Sequence, residues 1–234
     1  MASGSGARRV ALPWQPTLRA VPSRFPPVSL FDTVARADEL EVVAALQALT
    51  HPRLRQELGE ISLVPPAERV AGPGSTPVMA AFTHLNPRGS RFSDGSWGVY
   101  YAASSLDTAV AEVGFHCARF MAETQQPPIE VDYRVYHAQV QQPLHDLRGP
   151  RWSAAHAPDS YAASAALARE LRAAGSWGLL YRSVRHPGGE CVAAFRPRAL
   201  RLPVVQGTHV SLCWDGRGIA GWYRKSDHHG SATA

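Results

Sequence analysis

Apolar residues between Leu106 and Phe120 recur at the spacing of one helical face, with Val110, Val113 and Cys117 between them. This period predicts an amphipathic helix. Ser104 or Ser105 precedes it as an N-cap, and Asp107 lies in the first turn, where a helix favours negative charge. Val99, Tyr100 and Tyr101 have the β-branched and aromatic content of a strand. Residues 91–120 are therefore predicted to form one unit: a turn at Arg91, a strand and a helix.

The rest of the chain mixes strands and helices without a regular βαβ rhythm. A helix is predicted from Asp38 to Leu49, and another from Asp159 or Ser160 to Ala174, with Gly175 as its C-terminal glycine. Strands are predicted at 78–82, 129–142, 177–184, 191–195, 200–205 and 208–214. This pattern predicts an α+β fold.

Composition favours one soluble domain in a reducing compartment. The chain has 234 residues, 45% of them hydrophobic and 18% charged, which suits one sizeable core. Three widely spaced cysteines argue against a disulfide framework or a zinc knuckle. No signal peptide or membrane span is apparent, so a cytoplasmic location is expected. Residues 1–20 are predicted to be a flexible leader, 21–225 a single domain and 226–234 a polar tail.

The positive charge is almost entirely arginine. The formal net charge is +5, and Lys225 is the single lysine. Arginine forks bind phosphates and carboxylates, so an anionic ligand or partner is plausible, although a GC-rich genome gives the same composition. The arginines are scattered, so direct nucleic-acid binding is not expected.

Several residues of the 91–120 unit, and one beyond it, could carry chemistry. Arg91 could bind a phosphate, Tyr100 or Tyr101 could stack on a planar ring, and Glu112 could oppose a developing positive charge. Ser183 follows an apolar strand and could donate a hydrogen bond. Each of these residues could equally be a surface, core or turn residue without a role in function. No HExxH, Walker A or GxGxxG motif is present, so neither a metal nor a nucleoside triphosphate is expected.

Four segments together resemble a known family. They are RFPPVSLFDTV, the stretch from ALTHPRLRQELGE to MAAFTHLNP, GSRFSDGSWGVYYAASSLDTAVAEVGFH and WGLLYRSVRHPGGECVAAFRP. Together they resemble RES-domain proteins over about residues 20–205. The family's Arg, Glu and Ser positions correspond to Arg24 or Arg91, Glu112 and Ser183. Its glycine-arginine-aromatic turn corresponds to residues 89–92, with Ser90 in place of the second glycine.

This resemblance implies a specific function. RES proteins are toxins of bacterial type II toxin–antitoxin pairs, neutralised by an Xre-type helix-turn-helix antitoxin. The implied fold is a mixed sheet flanked by helices, similar to that of diphtheria-toxin-like ADP-ribosyltransferases. The implied activity is consumption of NAD by a glycohydrolase, phosphorylase or ADP-ribosyltransferase.

The candidate residues suit NAD as a substrate. Arg24 and Arg91 could bind its two phosphates, and Tyr100 or Tyr101 could stack on nicotinamide. Glu112 could stabilise the oxocarbenium character of the ribose, and Ser183 could bind the ribose or the carboxamide. His84 and Arg185 are weaker candidates. The acceptor could be water, phosphate or a protein, and the alternative is a non-catalytic interaction module that binds an acidic partner.

Overall fold

The computed structural model describes residues 6–23 and 59–226, together with the single residues Asp32, Ala37 and Leu40. Within them a nine-stranded sheet runs in the order β1-β5-β6-β7-β3-β2-β4-β8-β9. The strands are β1 Arg9–Val10, β2 Thr17–Pro22, β3 Tyr100–Ala103, β4 Ile129–Val140, β5 Leu144–Asp146, β6 Gly178–Arg182, β7 Glu190–Ala194, β8 Leu200–Trp214 and β9 Ile219–Lys225. Of these pairings, β5 with β6 is parallel and the others are antiparallel. The α+β prediction, with a mixed sheet flanked by helices, is confirmed.

Three α-helices cover the sheet in the described residues: α1 Thr76–Thr83, α2 Leu106–Glu123 and α3 Ala162–Ala173. Helix α1 packs on one face, where Val78, Met79 and Phe82 join a buried cluster with Tyr100. Helices α2 and α3 pack on the opposite face, each through its own apolar cluster. The two faces follow from the alternation of side chains along each strand.

The unit built around residues 91–120 forms as predicted. The Ser105 hydroxyl accepts a hydrogen bond from the Thr108 amide at 3.2 Å and caps α2. The apolar stripe of α2 packs through Leu106, Val110 and Cys117 against β4 and β8. Helix α3 also forms, and Gly175 follows it with φ +81°. The strands predicted at 129–142, 177–184 and 191–195 correspond to β4, β6 and β7, whereas the two predicted at 200–205 and 208–214 form one continuous strand, β8.

Two predictions of local structure are wrong. Residues 78–82 lie in helix α1 rather than in a strand, because Pro77 is placed in the first turn and Met79, Ala80 and Ala81 are strong helix formers. The predicted flexible leader of residues 1–20 contains β1 and most of β2, and β2 lies near the middle of the sheet between β3 and β4. Backbone pairing with two neighbours holds β2, which the Pro- and Gly-rich composition does not reveal.

Two other predictions concern residues outside the described part of the chain. The predicted helix from Asp38 to Leu49 falls on residues that are not described, apart from Leu40, which is buried. The predicted polar tail is described only at its first residue, Ser226.

Candidate active site

A cavity of about 220 Å³ opens between α2 and the centre of the sheet. Strands β2 and β3 form its floor with Leu18, Arg19, Ala20, Tyr101, Ala102 and Ala103. Helix α2 contributes Ala109, Glu112, Val113 and His116, and other segments contribute Ser90, Arg91, Tyr161, Tyr181 and Cys191. Three of the predicted site residues, Arg91, Tyr101 and Glu112, therefore line one cavity.

Glu112 projects from the middle of α2 and is half-buried. Its Oε1 accepts a hydrogen bond from the Ser183 hydroxyl at 2.6 Å and another from the Val184 amide at 3.3 Å. Both donors belong to the turn that joins β6 to β7. The carboxylate is thus held at a fixed place in the cavity wall.

Ser183 differs in placement from the sequence-based expectation. Its hydroxyl donates to Glu112 and accepts hydrogen bonds from the amides of Arg185 at 3.2 Å and His186 at 3.0 Å. Because its single proton is committed to the carboxylate, and because Ser183 does not line the cavity, this side chain positions Glu112. The direct contact with ribose or carboxamide stays a prediction, which the geometry does not favour.

Arg91 is 7% exposed. Its Nη1 donates to the carbonyls of Ala155 at 3.2 Å and Ala157 at 2.9 Å, and its guanidinium lies 4.9 Å from the centre of the Tyr161 ring. It makes no ion pair within the described residues. A buried cation without a carboxylate partner is costly, so this arrangement favours an anion in the cavity.

Tyr101 faces the cavity and Tyr100 does not. The Tyr101 hydroxyl accepts a hydrogen bond from the Phe92 amide at 2.9 Å and lies 2.8 Å from the Ser90 hydroxyl. Burial raises the pKa of Tyr101 to about 12, despite the hydrogen bonds that lower it. Its phenol therefore stays protonated and fixes the turn that carries Arg91, while its ring lines the cavity.

The expectation that Tyr100 binds the ligand is corrected. Tyr100 is 0% exposed and belongs to the cluster beneath α1, on the opposite face of the sheet. Successive strand residues point to opposite faces, so one tyrosine of the pair had to be core.

The turn at residues 89–92 accommodates Ser90, which stands where the family pattern has a second glycine. Gly89 has φ +74°, and a Cβ there would lie 2.7 Å from the Ser93 carbonyl oxygen, so this position requires glycine. Ser90 does not have a positive φ. The serine is accommodated, and its hydroxyl contacts Tyr101 instead.

The structure adds β2 to the cavity floor, a segment that the sequence analysis assigned to a leader. Arg19 is half-buried on β2, donates from Nη1 to the Tyr101 carbonyl at 3.1 Å and lies 4.8 Å from the centre of the Tyr100 ring. Its Nε is buried and has no hydrogen-bond partner in the described residues. The guanidinium therefore lies on the Tyr100 side of the sheet, opposite α2.

Two of the remaining candidates, Arg185 and His84, do not line the cavity. Arg24 lies outside the described residues. Arg185 donates to the Pro158 carbonyl at 2.6 Å and stacks on Phe115, so it bridges α2 to the segment before α3. His84 is exposed at the end of α1 and does not line the cavity.

Two further features bear on the kind of site. Within residues 6–23 and 59–226, no group of three or more His, Cys, Asp or Glu side chains is arranged to hold a metal ion. None of the helices in the same part of the chain is long and apolar enough to cross a membrane.

Comparison with known proteins gives three results. A family model described as RES domain matches residues 66–215. An uncharacterised protein, y4oC of Sinorhizobium fredii (strain NBRC 101917 / NGR234), is 28% identical over 216 residues, which cover 89% of this chain and 87% of that protein. A chain of the M. tuberculosis MbcT–MbcA toxin–antitoxin complex has a TM-score of 0.41 and 16% identity, covering 54% of this chain and 73% of its own. That structural likeness is too distant to support an argument about function.

Proposed function

The chain belongs to the RES domain family, and from this membership together with the cavity we propose that it is an enzyme that cleaves the nicotinamide–ribose bond of NAD. The observation that carries this proposal is the convergence of Glu112, Arg91 and Tyr101 on one cavity. A carboxylate, a cation and an aromatic ring are the groups that this reaction needs.

The fixed carboxylate of Glu112 suits the chemistry of this bond. As nicotinamide departs with the bonding electrons, the ribose gains oxocarbenium character, and a nearby carboxylate stabilises the developing positive charge. Nicotinamide leaves as a neutral molecule without a proton, so one carboxylate suffices. The hydrogen bonds from Ser183 and Val184 keep the charge in place before the reaction begins.

The size and charge of the cavity also suit one end of a dinucleotide. Pockets that enclose a whole drug-sized ligand have volumes of about 300–1,000 Å³, so a volume of about 220 Å³ suits the nicotinamide riboside end. Arg91 lines the cavity and makes no ion pair in the described residues. Its guanidinium is suited to a phosphate, and the Tyr101 ring offers a surface for nicotinamide.

The biological role follows from the family. We propose a toxin of a bacterial type II toxin–antitoxin pair, with an Xre-type helix-turn-helix antitoxin as its partner and a cytoplasmic site of action. The ADP-ribose goes to water, to phosphate or to a protein acceptor, and the acceptor decides between a glycohydrolase, a phosphorylase and an ADP-ribosyltransferase.

The test measures nicotinamide release from NAD in buffer, with added phosphate and with cell lysate. The purified protein is compared with Glu112→Gln, which keeps the shape of the side chain and removes its charge. We expect a loss of about a hundredfold or more, because one preorganised electrostatic group contributes roughly 3 kcal/mol to the barrier. Growth inhibition on expression should be lost in parallel.

Glu123→Gln is the matched control. Glu123 lies on the same helix but is exposed, and it pairs with Arg88 at 3.0 Å and Arg119 at 3.6 Å. This variant should match the parent. If the protein releases no nicotinamide under any condition and its expression does not affect growth, the proposed activity is rejected. The alternative, a non-catalytic module that binds an acidic partner, then takes its place.

A further inference from the structure

The turn between β6 and β7, residues 183–189, is held by hydrogen bonds of its own. The Ser183 amide donates to the Gly189 carbonyl at 2.8 Å, and the Gly189 amide donates to the His186 carbonyl at 3.0 Å. The Ser183 hydroxyl accepts from the amides of residues 185 and 186. These hydrogen bonds connect the two ends of the turn, and the turn carries both donors that hold Glu112.

This turn meets α2 at two places. The first is Glu112, which receives the Ser183 hydroxyl and the Val184 amide. The second lies one helical turn earlier, where Thr108 Oγ1 is 2.9 Å from His186 Nδ1. Residues four apart lie on the same face of a helix, so Thr108 and Glu112 present adjacent contacts to one turn.

The second contact is buried and closely packed. Thr108 is 1% exposed, and its Oγ1 is also 2.8 Å from the hydroxyl of Ser105, the N-cap of α2. Gly189 lies against it, since a Cβ at residue 189 would be 2.6 Å from Thr108 Oγ1. The helix and the turn thus approach as closely as a glycine permits.

We propose that Thr108 and His186 form a latch that fixes the 183–189 turn on α2 and thereby positions the Glu112 carboxylate for the reaction. Neither residue lines the cavity, so both are positioning residues that act through Ser183 and Val184. The inference rests on the proposed function, because it assigns the latch a part in that reaction.

The latch is needed because the hydrogen bonds to Glu112 do not by themselves fix the position of the turn. The Val184 amide is 3.3 Å from Oε1, near the outer limit of a hydrogen bond, which leaves the Ser183 hydroxyl as the short contact. A small shift of the turn would weaken that contact and move the carboxylate relative to the ribose. Displacement of a reacting group by about 1 Å is enough to cost on the order of a hundredfold in rate.

The test compares Thr108→Val with Thr108→Ser. Valine keeps the branched shape and removes the hydroxyl, whereas serine keeps the hydroxyl. We expect Thr108→Val to lower kcat about tenfold with little change in the KM for NAD, and Thr108→Ser to retain kcat within about threefold. In a Ser183→Ala background, Thr108→Val should add less than about threefold, because the latch acts through Ser183.

Thr124→Val is the matched control, since its hydroxyl donates to the Phe120 carbonyl at 2.7 Å at the far end of the same helix. It should leave kcat unchanged. Equal kcat values for Thr108→Val and the parent, or a full additional loss in the Ser183→Ala background, would overturn the latch.

A second measurement keeps the inference independent of the enzymatic proposal. Amide hydrogen exchange at Val184 should be about three- to tenfold faster in Thr108→Val, and unchanged in Thr108→Ser and Thr124→Val. Faster exchange in a protein that releases no nicotinamide would support the latch as a structural device and reject the proposed function. Unchanged exchange would reject the latch, whether or not the protein is active.

Discussion

Replacing Ser183 by alanine removes one short hydrogen bond to the candidate catalytic carboxylate. The hydroxyl donates to Glu112 Oε1 at 2.6 Å and accepts from the amides of residues 185 and 186. In the variant, Glu112 keeps only the Val184 amide at 3.3 Å, and the two turn amides lose their acceptor. The perturbation therefore loosens both the carboxylate and the turn that holds it.

The magnitude follows from these contacts. A hydrogen bond to a charged group contributes about 1.5–3 kcal/mol. If that contribution is lost from the transition state, kcat falls roughly 10- to 150-fold. The two turn amides are only partly buried and solvent can reach them, so we expect about 1 kcal/mol of lost stability.

The assay is steady-state nicotinamide release as a function of NAD concentration. Because Ser183 does not line the cavity, kcat should fall while the KM for NAD stays within about twofold. Ser160→Ala is the control, since Ser160 is exposed and its hydroxyl accepts only a long hydrogen bond, 3.4 Å, from the Ala162 amide. A raised KM with an unchanged kcat would refute the positioning role and return Ser183 to a direct contact with substrate.

Three other changes have defined outcomes. Tyr101→Phe leaves the Phe92 amide without its acceptor and should lower stability in urea by about 1–3 kcal/mol. In Arg91→Lys the planar guanidinium, whose Nη1 donates to both backbone carbonyls, is replaced by an ammonium that cannot bind a phosphate bidentately, so the KM for NAD should rise about tenfold or more. Stability should fall as the pH decreases from 6.5, because burial lowers the pKa of His145 and His156 in the folded protein. The unfolded chain then binds protons first, so the stability that is present above pH 6.5 is lost as the pH falls through the folded pKa values.

The contacts of the two histidines give the pH prediction its control. His145 Nδ1 lies 2.8 Å from the Ser176 hydroxyl, and Arg9 donates to its Nε2 at 3.4 Å. The Arg182 amide donates to His156 Nε2 at 3.2 Å. Each neutral ring thus accepts a hydrogen bond that protonation would abolish. His145→Gln should flatten the dependence of stability on pH between 6.5 and 5, and an equally steep profile would contradict this assignment.

Local signals account for the part of the site that could be predicted. The strand, the N-cap serine and the helical stripe of residues 99–120 each have their own sequence pattern, and these patterns place Tyr101 and Glu112 on neighbouring elements. Periodicity also predicts that only one of Tyr100 and Tyr101 faces the cavity. It does not say which, because that depends on where α1 packs.

The parts of the site that the sequence did not predict depend on contacts between residues far apart in the chain. Strand β2 forms part of the cavity floor because it pairs with β3 and β4, more than 80 residues further along the chain in each case. No pattern within residues 1–20 signals those partners. In the same way, the contact of Ser183 with Glu112 spans 71 residues, so the turn composition of SVRHPGG does not reveal that its hydroxyl serves a helix.

The place of β2 has a practical consequence for anyone who trims this protein. A chain cut to the family-matched segment, residues 66–215, would lose the edge strands β1 and β9 and also β2, the strand that joins β3 to β4. The backbone groups of β3 and β4 that pair with β2 would then lack hydrogen-bond partners, and unpaired strand edges promote aggregation with other chains. Such a fragment should precipitate rather than fold, and an inactive fragment would not test the proposed activity of the intact protein.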